Sequence, residues 1–115
     1  MQISIEDAGA TARVILNGKL DIAGADVVAM PLATLSGGKR GLVIDMSAVT
    51  FLASIGIRHL ATAAKALTRR GGRLVLLNPN AMVTDVLTTV GVNDLMPIVR
   101  SESEAIAVMN AALQR

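Results

Sequence analysis

Two apolar runs, Leu42-Val-Ile-Asp45 and Arg73-Leu-Val-Leu-Leu77, bracket one strongly periodic segment, Ser54–Arg70. Each run is short and almost wholly apolar, which reads as a strand covered on both faces. Between them Ile57, Leu60, Ala61, Ala64 and Leu67 fall on one helical face, and Arg58, Thr62, Lys65 and Arg69 on another. Gly71-Gly72 ends that helix. A strand–helix–strand unit of this kind makes a right-handed crossover between parallel strands. The chain is thereby confined to the α/β class.

The rest of the pattern fills in around this unit. Met1–Glu6 alternates, with Ile3 and Ile5 on one side, and Asp7–Ala10 is a turn. Thr11–Asn17 sets Ala12, Val14 and Leu16 against Arg13 and Ile15, so the first two strands form a hairpin. Gly24–Leu35 reads as a helix stopped by the turn Ser36–Gly41. Asn78 as N-cap and Pro79 at the first helical position open a helix that runs to about Val90 and stops at Gly91. Met96–Val99 is a short final strand. Ser101 with Glu104 fits the capping box of a C-terminal helix carrying Ala105, Ile106, Val108, Met109 and Leu113. The order β-β-α-β-α-β-α-β-α predicts a single domain over residues 1–115. It is a mixed sheet of four to five strands with about four helices packed against it. Alternation alone leaves several α/β topologies open.

Composition narrows the function. The 115 residues hold no Cys, so there is no disulfide framework and no thiolate chemistry. The N-terminus has neither a basic start nor a long apolar stretch, so no signal peptide is expected. No apolar run approaches the roughly 20 residues that span a bilayer, so no membrane insertion is expected. These features fit a cytoplasmic protein. A net charge of +2 is too small to argue for nucleic acid. Phe51 is the one aromatic residue, which leaves no stacking platform for bases.

One position stands out chemically. The apolar run ends in Asp45, a short connector follows, and Ser54 and Gly56 then open the main helix. This puts a hydroxyl at a helix N-terminus just past a buried strand. Free N–H groups and partial positive charge make a phosphoryl group tolerable there. Serine is also a preferred N-cap, and from spacing alone the simple helix cap is the favoured reading.

Catalysis is not expected, and neither is a cofactor or a metal. Ser54 and His59 lie five apart on one helix and point about 140° from each other, so they cannot act as nucleophile and base. Ala53-Ser-Ile-Gly56 is not a nucleophile elbow. One His without Cys gives no zinc pattern, and the pairs Gly37-Gly38 and Gly71-Gly72 match no nucleotide fingerprint. Arg58, Lys65, Arg69 and Arg70 form a basic stripe that is either a solvated face or a surface for an acidic partner. Asp21 reads as a turn residue or helix cap ahead of Gly24, and Asp45 with Ser47 as a pair closing the connector through local hydrogen bonds.

The segment Asp45-Met-Ser-Ala-Val-Thr-Phe-Leu-Ala-Ser-Ile-Gly-Ile57 resembles the signature of the STAS family, the anti-sigma factor antagonists. Gly18-Lys-Leu-Asp21, Leu74-Val-Leu-Leu-Asn-Pro79, Val86-Leu-Thr-Thr-Val-Gly-Val92 and Leu95-Met-Pro-Ile98 resemble further family segments, so the likeness spans essentially the whole chain. It implies the STAS fold and a phosphorylation site at Ser54, with Asp21 helping to position it. It also implies a partner surface formed by Asp21, Ala53, Ser54, Ile55, Gly56, Arg58, His59, Thr62 and Lys65. The partner implied is an anti-sigma factor with a kinase-type domain, and whether two copies pair as a homodimer is left open. Three positions depart from the pattern: Ala48 replaces its Gly, Ala53 its second Asp, and Ile55 its second Ser. These point to an alternative, a constitutive STAS subunit of a larger complex such as a lipid-transport ATPase or signalling scaffold, working without phosphorylation.

Overall fold

The computed structural model describes residues 1–114. Strands β1 (Gln2–Ala8) and β2 (Thr11–Leu20) form an antiparallel hairpin, which turns at Gly9 with a φ of 79° that glycine adopts freely. Strands β3 (Gly41–Leu52), β4 (Arg73–Leu77) and β5 (Ile98–Val99) join in sequence, each parallel to its predecessor, giving a five-stranded mixed sheet in the order β1-β2-β3-β4-β5. Helices α1 (Ile22–Gly38), α2 (Ser54–Arg69) and α3 (Ala81–Val90) are the crossovers between these neighbours. Right-handed connections between adjacent parallel strands all fall on one side, so these three helices share one face of the sheet. Helix α4 (Glu102–Leu113) packs on the other.

Two apolar clusters follow. The larger holds Leu16, Ile44 and Leu76 from the sheet against Leu32, Leu60 and Leu87 from the helices. The smaller holds Val75, Leu77 and Val99 against Ala105 and Met109 of α4. Strand β4 therefore sends alternate side chains into both clusters, the burial that its unbroken apolar run demands. In α2 the buried set is Gly56, Ile57, Leu60, Ala63, Ala64 and Leu67, which keeps Ile57, Leu60, Ala64 and Leu67 of the periodic face, adds Gly56 and Ala63, and leaves Ala61 half-buried.

Several boundaries differ from the sequence reading. Strand β3 does not end at Asp45 but continues to Leu52, and β2 continues to Leu20. Their pairing shifts register between Ile15 and Asn17 and again between Gly18 and Lys19. Such irregularities break strict alternation, so Met46, Val49 and Leu52 are buried at every third position and the segment reads as a connector. Helix α1 runs on through Pro31 and the glycine pair to Gly38. The N-cap of α3 is Asn80, whose side chain accepts from Val83 N–H at 2.8 Å, and not Asn78. Asn78 sits at φ 51°, a conformation asparagine tolerates but not the extended backbone of a cap, which Asn80 has at φ −67° and ψ 173°. The last strand is only Ile98–Val99, since Pro97 brings no N–H to a ladder and Met96 N–H bonds back to Val92 O at 2.8 Å. In α4, Ser101 caps Glu104 N–H at 3.2 Å, while the Glu104 carboxylate accepts from Arg100 N–H instead of closing a reciprocal box.

One ionic hub ties the open side of the sheet to α4. Arg13 of β2 bonds Asp45 of β3 at 3.0 Å and also pairs with Glu102 in the first turn of α4. Glu6 of β1 lies 3.9 Å from its Nε. Burial alone would push the Asp45 carboxyl up, but hydrogen bonds from Ser47 and Arg13, with the Arg13 charge, outweigh it and hold Asp45 below the usual carboxylate range. A depressed native value means that the unfolded chain binds the proton more readily. This contribution to stability is therefore complete above the ordinary carboxylate pKa of about 4 and disappears as pH falls through the lower native value. Chemical denaturation between pH 6 and pH 2 is expected to show Asp45→Asn losing stability less steeply on the acid side than the parent. An unchanged slope would remove Asp45 from the acid response.

Candidate functional site

Residues Leu20 and Leu52 are paired neighbours at the ends of β2 and β3, and Ala53 N–H donates to Leu20 O at 2.9 Å. The chain leaves both strands at the same level, so the starts of α1 and α2 adjoin. Gly56 lets them come this close. A Cβ there would stand 2.6 Å from Leu20 Cγ and 3.1 Å from Leu20 O. Gly56 is thus buried, and its expected place on a partner surface is corrected: it positions α2 and offers no side chain of its own.

Ser54 is exposed, and its role as the N-cap is also corrected. The capping residue is Ala53, with extended φ −94° and ψ 162°, and its carbonyl accepts from Gly56 N–H at 3.0 Å and Ile57 N–H at 3.2 Å. Ser54 is the first residue inside the helix, where its side chain is not placed as a cap's is. Among the described residues its hydroxyl makes no hydrogen bond. Helices α1, α3 and α4 each have a side-chain acceptor at their N-cap, from Asp21, Asn80 and Ser101, whereas α2 has none and no acidic residue in its first turn. The partial positive charge at the start of α2 is therefore left uncompensated by any side chain.

The other residues singled out by sequence divide into three groups. Asp21, Ala53 and Ile55 are half-buried at the same rim as Ser54, with Asp21 Oδ1 accepting from Gly24 N–H at 2.9 Å as the cap of α1. Arg58, Thr62, Lys65 and Arg69 are exposed along the outer side of α2. His59 is half-buried and turns toward α1, away from Ser54. Arg70 leaves the basic stripe, because it donates to the Ser36 carbonyl at the end of α1. Asp45 Oδ1 accepts from Ser47 N–H at 3.0 Å, the expected local closure.

Sequence reasoning missed the apolar residues around the rim. Ile22, at the start of α1, is 74% exposed, and Phe51 is 45% exposed two residues before the α2 cap. The available signal was α1 itself, which carries Ile22, Val27 and Met30 in addition to the Val28, Leu32 and Leu35 that one buried face requires.

This geometry suits docking better than enclosure. Open α/β sheets bind small ligands in a crevice where the strand order reverses, and the order here never reverses. Around Ser54 there is a rim with one free hydroxyl, an uncompensated helix start, half-buried aliphatic neighbours and a row of cations. The architecture is a mixed five-stranded sheet with three crossover helices on one face and one helix on the other. The chain belongs to the STAS domain family, whose model matches residues 2–105. It is 27% identical over 116 residues, spanning all of both chains, to BtrV of Bordetella bronchiseptica, a protein classed with the anti-sigma factor antagonists. Its fold is similar to that of the anti-sigma factor antagonist SpoIIAA in its unphosphorylated form, with a TM-score of 0.81 and 23% identity, covering 96% of this chain and 97% of that one. It is also similar to phosphorylated SpoIIAA, the Bacillus cell fate determinant, with a TM-score of 0.73 and 23% identity, covering 93% and 98%.

Two substitutions separate positioning from display. Gly56→Ala forces a methyl into Leu20 and is expected to cost about 1–3 kcal/mol in urea denaturation, the range for overpacking. Ser54→Ala removes no cap bond and is expected to stay within about 0.5 kcal/mol of the parent. A loss above about 1 kcal/mol for Ser54→Ala would restore the hydroxyl as a cap.

Proposed function

We propose that this protein is an anti-sigma factor antagonist that binds an anti-sigma factor of the serine-kinase type and is controlled by phosphorylation of Ser54. The observation that carries this reading is the exposed, unbonded hydroxyl at the first position of α2, flanked by apolar rim residues that a partner would cover. Unmodified, the rim of Asp21, Ala53, Ser54 and Ile55 docks together with Arg58, His59, Thr62 and Lys65 of α2, and the partner is held away from its sigma factor. A phosphate adds nearly two negative charges. The start of α2 tolerates them within the free protein, since no acidic side chain sits in that turn. A packed interface has to desolvate them, and a penalty of about 2.8 kcal/mol already weakens binding a hundredfold.

A second reading is favoured by Ala53. An acidic residue before the phosphorylated serine belongs to the family pattern, and its replacement makes the segment more apolar and less like a kinase substrate. The chain would then be a constitutive subunit of a larger assembly, docking through the same rim without a charge switch.

Binding of Ser54→Asp and Ser54→Ala variants to the cognate anti-sigma factor decides between them. The switch predicts near-parent affinity for Ser54→Ala and a loss of tenfold or more for Ser54→Asp, while both remain folded by circular dichroism. Equal affinity for the two variants rejects the switch. Intact mass of the protein isolated with its partner gives an independent reading, an added phosphate of about 80 Da on the free pool only.

A further inference from the structure

Helices α1 and α2 meet through small side chains, and a groove is left along their outer seam. Its volume is about 160 Å³, and its walls include Ala29, Ala33 and Ser36 of α1 with His59, Thr62 and Ala66 of α2. The two lips differ. Outside the α2 wall run Arg58, Lys65 and Arg69, exposed and, among the described residues, in no ion pair. Their separations of seven and four residues place them about 10 Å and 6 Å apart along one side of the helix. Helix α2 has no acidic residue at all. Outside the α1 wall stands Met30, 74% exposed, on a helix whose outer side carries Ile22 and Val27 as well, with one carboxylate, Asp26.

An apolar lip, a shallow floor of alanines and an unpaired cationic row in helical spacing specify one kind of occupant. We propose that this groove binds an acidic amphipathic helix of a partner protein. Small or aliphatic side chains of that helix lie over Ala33 and Ala66, its apolar flank meets Met30, and carboxylates one and two turns apart face Arg58, Lys65 and Arg69. The same groove face of a second copy fits poorly, since against the cationic row its two helices offer a single carboxylate, Asp26. Single-stranded nucleic acid fits poorly as well, because the one ring in the groove, the half-buried imidazole of His59, offers no run of stacking platforms for successive bases. The inference shares Arg58, His59, Thr62 and Lys65 with the docking surface proposed above and in that respect rests on it, but it needs no phosphate on Ser54.

The test uses a fluorescein-labelled helical peptide of about 18 residues, long enough to lie beside the whole cationic row. It carries leucine on its groove side and glutamate opposite the cations. A twin with lysine for each glutamate and a DNA oligonucleotide of the same net charge as the glutamate peptide serve as comparisons. The glutamate peptide is expected to bind, to shift the amide resonances of Ala33, His59, Thr62 and Ala66, and to weaken in high salt. The double variant Lys65→Glu/Arg69→Glu is expected to lose about tenfold or more in affinity. Because those positions are exposed, the fold is expected to survive, as read by circular dichroism. A second variant, Ala33→Leu, fills the groove with every charge intact and is expected to lose a similar factor. No binding up to about 1 mM peptide, equal affinity for the lysine twin, shifts confined to another face, or tighter binding of the oligonucleotide would each overturn the proposal. Any of these failures leaves the Ser54 variants and their partner binding to be judged on their own results.

Discussion

The hydrogen bond from Ala53 N–H to Leu20 O fixes the geometry on which the rest of the surface depends. It ends two parallel strands at one level, and every later feature of the rim follows from it. Two strands of unequal irregularity can reach the same level only because the β2–β3 register shifts twice on the way. Once they do, α1 and α2 start side by side and Gly56 lets the second close over Leu20. One start is capped by the Asp21 carboxylate and the other has only the Ala53 methyl group beside it. The contrast is chemical: two adjacent helix N-termini, one satisfied by a side chain and one not.

Sequential strand order has a second consequence. With each crossover on the same side, α1, α2 and α3 form a continuous layer, and the C-terminal strand ends open onto loops that are braced instead of parted. Asn80 Nδ2 donates to the Val49 carbonyl at 3.2 Å, and Arg100 Nη2 to Thr84 at 3.0 Å, so the loop after β4 is tied to β3 and the loop after β5 to α3. What such a layer offers a partner is its outside. The exposed Ile22, Val27 and Met30 of α1 and the cations of α2 lie on that outside.

The regular parts of the fold were legible because their patterns are local. The apolar face of α2, the double burial of β4, the hairpin and the Ser101 cap each rest on residues within a few positions of one another. Where the reading failed, the deciding interaction was remote. Met46, Val49 and Leu52 belong to a strand because β2 runs beside them with shifted register, and nothing within the segment itself states this. Asn78 reads as the cap of α3 by composition, and only the observed backbone, φ 51° there and extended at Asn80, moves the cap two places on. Ser54 resembles a cap by composition, and only the observed backbone at Ala53 moves it one place into the helix. The same displacement is what leaves its hydroxyl free. Gly56 looked like a surface residue of the motif, yet its requirement comes from Leu20, 36 positions earlier.

On the proposed reading, a phosphate on Ser54 would act on two balances at once. Within the free protein it meets an uncapped helix start, where a negative group is worth about 0.3–1 kcal/mol. It also meets Arg58 four residues on, and an i,i+4 ion pair adds roughly 0.3–0.5 kcal/mol. Both favour the folded chain, so modification would not act by loosening the domain. At the interface the same charge must be stripped of water, and a phosphate paired with Arg58 also withdraws that cation from the partner. Removing a rim cation changes affinity little by itself, because exposed pairs contribute about 0–1 kcal/mol. Desolvating an unmatched dianion costs several times more. The second balance therefore outweighs the first, and a switch at this position would reside in what can sit on the rim while the fold beneath it stays unchanged.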